Sequence, residues 1–476
     1  MNRYDLVIKG GTAVLPGHGP VRLDVGVRGG RIAALADEIA SSAARQVLDA
    51  RGRHVLPGGV DSHFHVGIYR PHAEDARSES AAAVAGGVTT LVSYFRTGHH
   101  YLDKTGPYKK IFPEVLQLSR GNFHCDYGYH VAPMTTAQLD EIPWLVEQGV
   151  SSFKYYMFYK ALTLSADSTK GRDYAMADEY DLGHLYEMMT RVARLTKKLG
   201  KRISVSLHCE NPELIRVFIQ RVKRAGLSGL RAYSEGRPPL SERLSIQEAG
   251  VLADATRCPV NLLHLSSQAA IEAGIDVRRR HPWLDLTLET TLHHLCLSHD
   301  TARGLNAKVN PPIRARADRE RLWKAVLAGD VDTVVSDHAC CMEEHKQGDT
   351  WTALPGFGGS SLLYPVLLTE GVLRRGLSLA RAVELASTNP ARRFGLYPRK
   401  GAFAVGSDAD FAICDLRRER KVRAKALHSA QDHTPFEGMP LSGWPAATVL
   451  RGKVVFEKDQ LQGGRGGRYI ERPVER

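Results

Sequence analysis

Residues 55–65, Val55-Leu56-Pro57-Gly58-Gly59-Val60-Asp61-Ser62-His63-Phe64-His65, join a short apolar, β-prone run to two histidines two positions apart. In an extended segment, side chains at i and i+2 point to the same side, so both imidazoles can reach one ion. Taken alone, a His-x-His pair is unspecific. The same arrangement, a buried-looking run followed by a polar or ionisable residue, recurs along the middle of the chain.

The strand-like runs are residues 55–60, 89–94, 127–131, 151–155, 203–207, 260–263, 284–288 and 333–336. Helical patterns alternate with them over residues 75–85, 178–199, 212–225, 266–280 and 317–328. Eight such runs alternating with helices predict an α/β fold, a closed (β/α)8 TIM barrel. Both ends of the chain read differently. Short β-prone runs with glycine turns, such as residues 4–9 before Gly10-Gly11 and residues 23–27 before Gly29-Gly30, fill the first fifty or so positions. Residues 411–414, 447–450 and 454–456 behave alike, with Gly452 at a turn. The economical division is a small β-sandwich built from residues 1–56 and 396–476, flanking a barrel of residues 57–395.

A chain of 476 residues accommodates that architecture. Its formal net charge of +12 is spread over scattered Arg and Lys, with small clusters at residues 278–280 and 417–421 and a tail set of Arg465, Arg468 and Arg472. That distribution reads as an Arg-rich surface, and no nucleic-acid partner is expected. The seven cysteines include no C-x-x-C pair, which argues against a disulfide framework or a zinc knot and for a reducing cytoplasm. No apolar run approaches membrane-spanning length, so no membrane association is expected.

In a (β/α)8 barrel the chemistry sits at the C-terminal ends of the strands. Strand one ends in His63 and His65, strand four carries Lys154, strand five ends in His208-Cys209-Glu210, strand six in His264 and strand eight in Asp337-His338. Each has a bland reading, a satisfied core histidine or a snorkelling lysine. Lys154 also has a functional one. A desolvated ammonium is costly, and a neutral amine there can capture carbon dioxide as a bidentate carbamate able to bridge two metals. Six such residues on one barrel face make coincidence a poor explanation.

These positions resemble the amidohydrolase superfamily, and within it the cyclic amidohydrolases: hydantoinase, dihydropyrimidinase, allantoinase and dihydroorotase. The likeness covers nearly the whole chain. It includes residues 57–65, Ser152-Phe153-Lys154, His208-Cys209-Glu210-Asn211, Pro311-Pro312-Ile313-Arg314, Val335-Ser336-Asp337-His338 and Ser387-Thr388-Asn389-Pro390-Ala391. The resemblance implies two Zn2+ ions, with manganese, cobalt or iron as alternative occupants. It gives His63, His65 and Asp337 to one ion and His208 and His264 to the other, with carbamylated Lys154 bridging both. It implies Asp337 as general base and then general acid. Tyr159, five residues after Lys154, corresponds to a tyrosine that hydrogen-bonds the attacked carbonyl. Homodimers or homotetramers are common among such relatives.

The expected substrate is a small cyclic amide or imide, a hydantoin- or dihydropyrimidine-like ring. Dihydroorotases usually carry an arginine where this chain has Gly67, which disfavours that activity. Asn310, before Pro311-Pro312, is nonetheless a dihydroorotase-like choice for a substrate-binding position. Gly358-Gly359 is more reminiscent of allantoinase, the alternative enzyme reading. Arg96, at the end of strand two, is a candidate for holding an anionic group, against the alternative of a surface ion pair. His99 and His100 read as solvent-facing, and residues 166–177 as an inserted loop. A non-catalytic assembly protein related to dihydropyrimidinase would lack metal ligands. Here all six are present.

Overall fold

Gly58 is where the chain passes from one sheet into the next. His54–Pro57 pairs antiparallel with Phe411–Asp415 in a sheet of the terminal segments. Two residues on, Gly59–His65 is the first barrel strand (β1). The run expected as one strand over residues 55–60 is therefore two. Proline cannot donate to a ladder, and a Cβ at Gly58 would fall 2.1 Å from Thr89 Oγ1. Only glycine lets the backbone turn so close to the second strand.

The computed structural model describes residues 3–159, 180–302 and 304–473. The insertion expected over residues 166–177 lies outside them. After β1 follow β2 (Val88–Arg96), β3 (Asp126–Ala132), β4 (Ser152–Tyr156), β5 (Ser204–His208), β6 (Val260–Leu262), β7 (Leu286–Thr291) and β8 (Thr333–Val335). Each pairs parallel with the next. After Ser336 and Asp337 the chain resumes as His338–Ala339, which pairs parallel with β1 through His338↔Phe64 and Ala339↔His65. The sheet thus curls until its last strand, interrupted at Ser336-Asp337, meets its first. Ser336 fastens the seam, its backbone N–H donating to Asp61 Oδ1 at 3.1 Å. β1 to β5 are buried along their whole length, as strands covered on both faces must be.

The helices fall where the pattern put them, with ends set by caps. Asp181 accepts from His184 N, so the helix expected from 178 spans Leu182–Leu199. Ser267 accepts from Ala270 N, and that helix begins at Gln268, not 266. Tyr108–Ser119, Gly229–Gly236 and Pro239–Thr256 are further helices the periodicity did not single out.

The termini build two sheets. One holds Tyr4–Lys9, Asp24–Arg28, Arg31–Ala36 and Ala44–Asp49; the other joins the N-terminal Thr12–Leu15 and His54–Pro57 to the C-terminal Phe411–Asp415, Trp444–Leu450 and Lys453–Glu457 where His54–Pro57 pairs with Phe411–Asp415. Their shared core includes Leu6, Ile8, Val25, Val55, Phe411 and Val449. The tail then returns to the start of β3, where Tyr127 N donates to Arg468 O and Ile470 N to Tyr127 O. Arg472, expected among surface arginines, is 2% exposed and donates to Tyr129 O inside the barrel wall.

Candidate metal centre and active site

The C-terminal ends of the barrel strands bring six ionisable residues to one rim. On β1, His63 and His65 are buried, and each has its Nδ1 occupied from behind. His63 Nδ1 lies 2.7 Å from Glu289 Oε1 on β7, and His65 Nδ1 lies 2.8 Å from the Tyr101 hydroxyl. Such partners set which ring nitrogen keeps its lone pair. The two Nε2 atoms are left to converge on Asp337 Oδ1, at 3.1 and 3.3 Å. Burial pushes both imidazoles below their usual range, toward the neutral form that can donate a lone pair.

Asp337 sits in the break of β8 with φ +51°, and His264, just past β6, has φ +35°. Side chains other than glycine rarely adopt this left-handed region, and such strain concentrates at functional sites. The His264 ring is 4.3 Å from that of His208 and 5.2 Å from that of His63, centroid to centroid. Its Nδ1 is buried and has no hydrogen-bond partner among the described residues. His208 Nε2 meets Glu210 Oε2 at 2.7 Å, and Arg237 Nε holds the other oxygen of that carboxylate at 3.0 Å.

Lys154 stands inside this ring of side chains at 1% exposure. Its Nζ lies 4.4 Å from the centre of the Tyr94 ring and 4.8 Å from that of Tyr156, with no ion pair among the described residues. Burial lowers the ammonium to about 7, against the opposing pull of Asp337 and Glu289.

The donor set suits hard or borderline divalent cations. Ligand atoms of His63, His65 and Asp337 all lie within 4.8 Å of one another. Neutral buried imidazoles, a carboxylate and an orphaned ring nitrogen on His264 together fit a binuclear metal site.

A model of the amidohydrolase family matches residues 54–455. The chain belongs to the amidohydrolase family. This amidohydrolase is 33% identical to an allantoinase of Deinococcus radiodurans, over 98% of both chains. It is 31% identical to an L-hydantoinase of Paenarthrobacter aurescens, over 98% of both. It superposes on the crystal structure of a dihydropyrimidinase from Brevibacillus agri with a TM-score of 0.85 at 26% identity, again covering 98% of each chain. Within the family it falls in the cyclic amidohydrolase group.

In this amidohydrolase the rim opens into a cavity of about 340 Å³. Tyr159, on the 3-10 turn Met157–Tyr159 after β4, lines it and stacks on Tyr156 at 4.5 Å. Burial pushes its phenol up, and the Arg96 guanidinium beside it, 5.4 Å from the ring centre, opposes that shift. Arg96 is buried against Tyr159 and Tyr101 and donates to His99 O at 3.0 Å, which removes the surface-ion-pair reading. Asn310 lines the cavity and accepts from the Tyr233 hydroxyl at 2.5 Å. His100, expected in solvent, lines the cavity too and packs edge-on against Tyr69. Gly67 has φ +76°, and a Cβ there would lie 3.0 Å from His72 Nδ1.

Sequence reasoning did not reach Glu289, Tyr101 or Arg237. Glu289 had a usable signal, since it directly follows the apolar run 284–288, where the strand-end rule applies. The others come from loops and helices whose approach to the rim no local pattern encodes.

Proposed function

We propose that this amidohydrolase opens a cyclic amide or imide ring of the hydantoin or dihydropyrimidine type, adding water across a ring C–N bond to give the N-carbamoyl or amino acid product. The observation that carries the reading is the convergence of His63 and His65 Nε2 on Asp337 at the head of a ring-sized cavity, with an uncompensated lysine among them.

In this reading His63, His65 and Asp337 hold one divalent metal, zinc being the natural occupant, and His208 and His264 the other. Lys154 serves both as a carbamate. Its neutral amine, favoured by burial, would add to carbon dioxide and release one proton to solvent, placing an anion where two cations would be held. Bound there, the metals would lower the pKa of water to about 7 and polarise the carbonyl under attack.

The protein's own groups do the rest. Asp337 accepts the proton of the attacking water and delivers it to the departing ring nitrogen. The Tyr159 hydroxyl donates to the carbonyl oxygen as negative charge builds on it. The Asn310 amide, its oxygen held by Tyr233, orients the ring. Arg96 stands beside Tyr159 to receive charge on the substrate side.

A second reading, allantoin as the ring, is supported by the 33% identity to an allantoinase, allantoin being itself a substituted hydantoin. The test is a panel of hydantoin, dihydrouracil, allantoin and dihydroorotate, supplied with zinc and bicarbonate. Opening of one of the first three supports the reading and names the ring. Opening of dihydroorotate alone, itself a dihydropyrimidine ring that carries a carboxylate, supports it as well, and opening of none of the four overturns it.

All seven cysteines are free and buried, which supports a reducing cytoplasm as the setting. Among the described residues no helix is long and apolar enough to cross a membrane. A homodimer or homotetramer is the assembly we expect.

A further inference from the structure

Lys308 and Lys346 are both buried under the loop of residues 351–356, yet they are satisfied very differently. Lys346 Nζ donates to three backbone carbonyls, Lys308 O at 3.1 Å, Leu354 O at 3.0 Å and Gly356 O at 2.5 Å. An ammonium has three donors, so its work is complete and structural. Among the described residues Lys308 Nζ donates to Ala353 O alone, and it lies 4.6 Å from the centre of the Tyr233 ring. It is 3% exposed, lines the cavity and forms no ion pair among the described residues.

The neighbouring cation on that wall, Arg237, is already committed to Glu210. Lys308 therefore faces the cavity with spare donors and without an ion-pair partner among the described residues. Burial, with Lys346 and Arg237 nearby, lowers its ammonium to about 7, and Asp349 and Cys341 only partly offset this. Holding such a group without return is costly; an anion arriving with the substrate would relieve that cost. Lys308 and Asn310 both line the cavity and meet at Tyr233, whose ring lies beside the Lys308 ammonium and whose hydroxyl donates to Asn310 Oδ1.

We propose that Lys308 is a specificity-determining residue that pairs with a carboxylate carried on the substrate ring, beside the amide group that Asn310 orients. One ammonium matches one negative charge, and a cavity of about 340 Å³ leaves room for a ring and a short substituent but little more. The inference rests on the cyclic-amide reading above and narrows its substrate class to acidic rings.

The test compares kcat/KM for hydantoin-5-acetate and the isosteric, uncharged hydantoin-5-acetamide in the native protein, Lys308→Met and Lys308→Arg. A charge-assisted hydrogen bond corresponds to a preference of about 10- to 100-fold for the acetate. That ratio should fall close to one in Lys308→Met, chiefly through KM, and survive in part in Lys308→Arg. Because the ratio is taken within each variant, partial loss of folded protein cancels. A native ratio near one, or a native-like ratio in Lys308→Met, overturns the proposal. If neither ring is opened, calorimetric binding of the two compounds reads the subsite alone. Tighter acetate binding that disappears in Lys308→Met sustains it while the ring-opening reading falls, and equal binding removes it.

Discussion

Glu289 on β7 fixes the imidazole of His63 on β1 from behind, carboxylate oxygen to Nδ1 at 2.7 Å. The same oxygen accepts from His264 N at 3.3 Å, so one buried carboxylate orients residues assigned to both metals. Replacing Glu289 by Ala should weaken metal binding by about 10- to 100-fold, as loss of an outer partner typically does. Competition with a chromophoric chelator measures it. Unchanged affinity would show that Glu289 is only packing.

Tyr159→Phe removes one hydroxyl and leaves the stack on Tyr156. If that hydroxyl meets the developing oxyanion, kcat should drop by about 10²- to 10³-fold with the circular dichroism spectrum unchanged. A kcat within a factor of two of native would assign the phenol to packing alone.

Gly67, two residues after His65, lies in the left-handed region. With φ +76° and His72 pressed against it, Gly67→Ala should cost about 1–2 kcal/mol in unfolding free energy. Denaturant titration checks this, and an unaffected midpoint would mean the backbone relaxes freely there.

Lys400 clamps the terminal segment to the barrel, its Nζ within 2.6 Å of both Asp126 and Asp410 and 2.9 Å of Asp408. Burial opposes its charge, but the three carboxylates outweigh burial and hold the ammonium above its ordinary 10.5. A group whose folded pKa is raised adds stability below its unfolded value and loses it as pH climbs through the folded one. The melting temperature should therefore fall above about pH 10.5, and less steeply in Lys400→Met. At neutral pH that variant leaves the buried Asp410 carboxylate without its cation, while Asp126 and Asp408 keep Arg451 and Arg399, and should be destabilised by about 3–5 kcal/mol. A variant as stable as native at pH 7 would contradict this.

The barrel was legible because eight apolar runs of strand length alternate with helical periodicity, and a strand's buried faces write themselves into sequence directly. Asp337, His264 and Lys154 stood out because a polar group ending or interrupting such a run is costly without a purpose. What stayed hidden was non-local. The split at Gly58 depends on how close Thr89 lies across the sheet gap. Tyr101 reaches His65 from the loop after β2, and Arg237 follows a helix, Gly229–Gly236, whose place over the rim only tertiary packing decides. Arg472 looked like a solvated tail residue because burial of an arginine by the returning terminus leaves no local trace.

The most direct test measures metal content and ring opening together, in native protein and Lys154→Ala, both prepared with zinc and bicarbonate. Native protein should hold two metal ions per chain and open the ring. The variant should hold fewer ions and show no turnover above background. A Lys154→Ala protein that keeps both metals and the native rate would contradict the central claim, because the lysine would then hold nothing the chemistry needs.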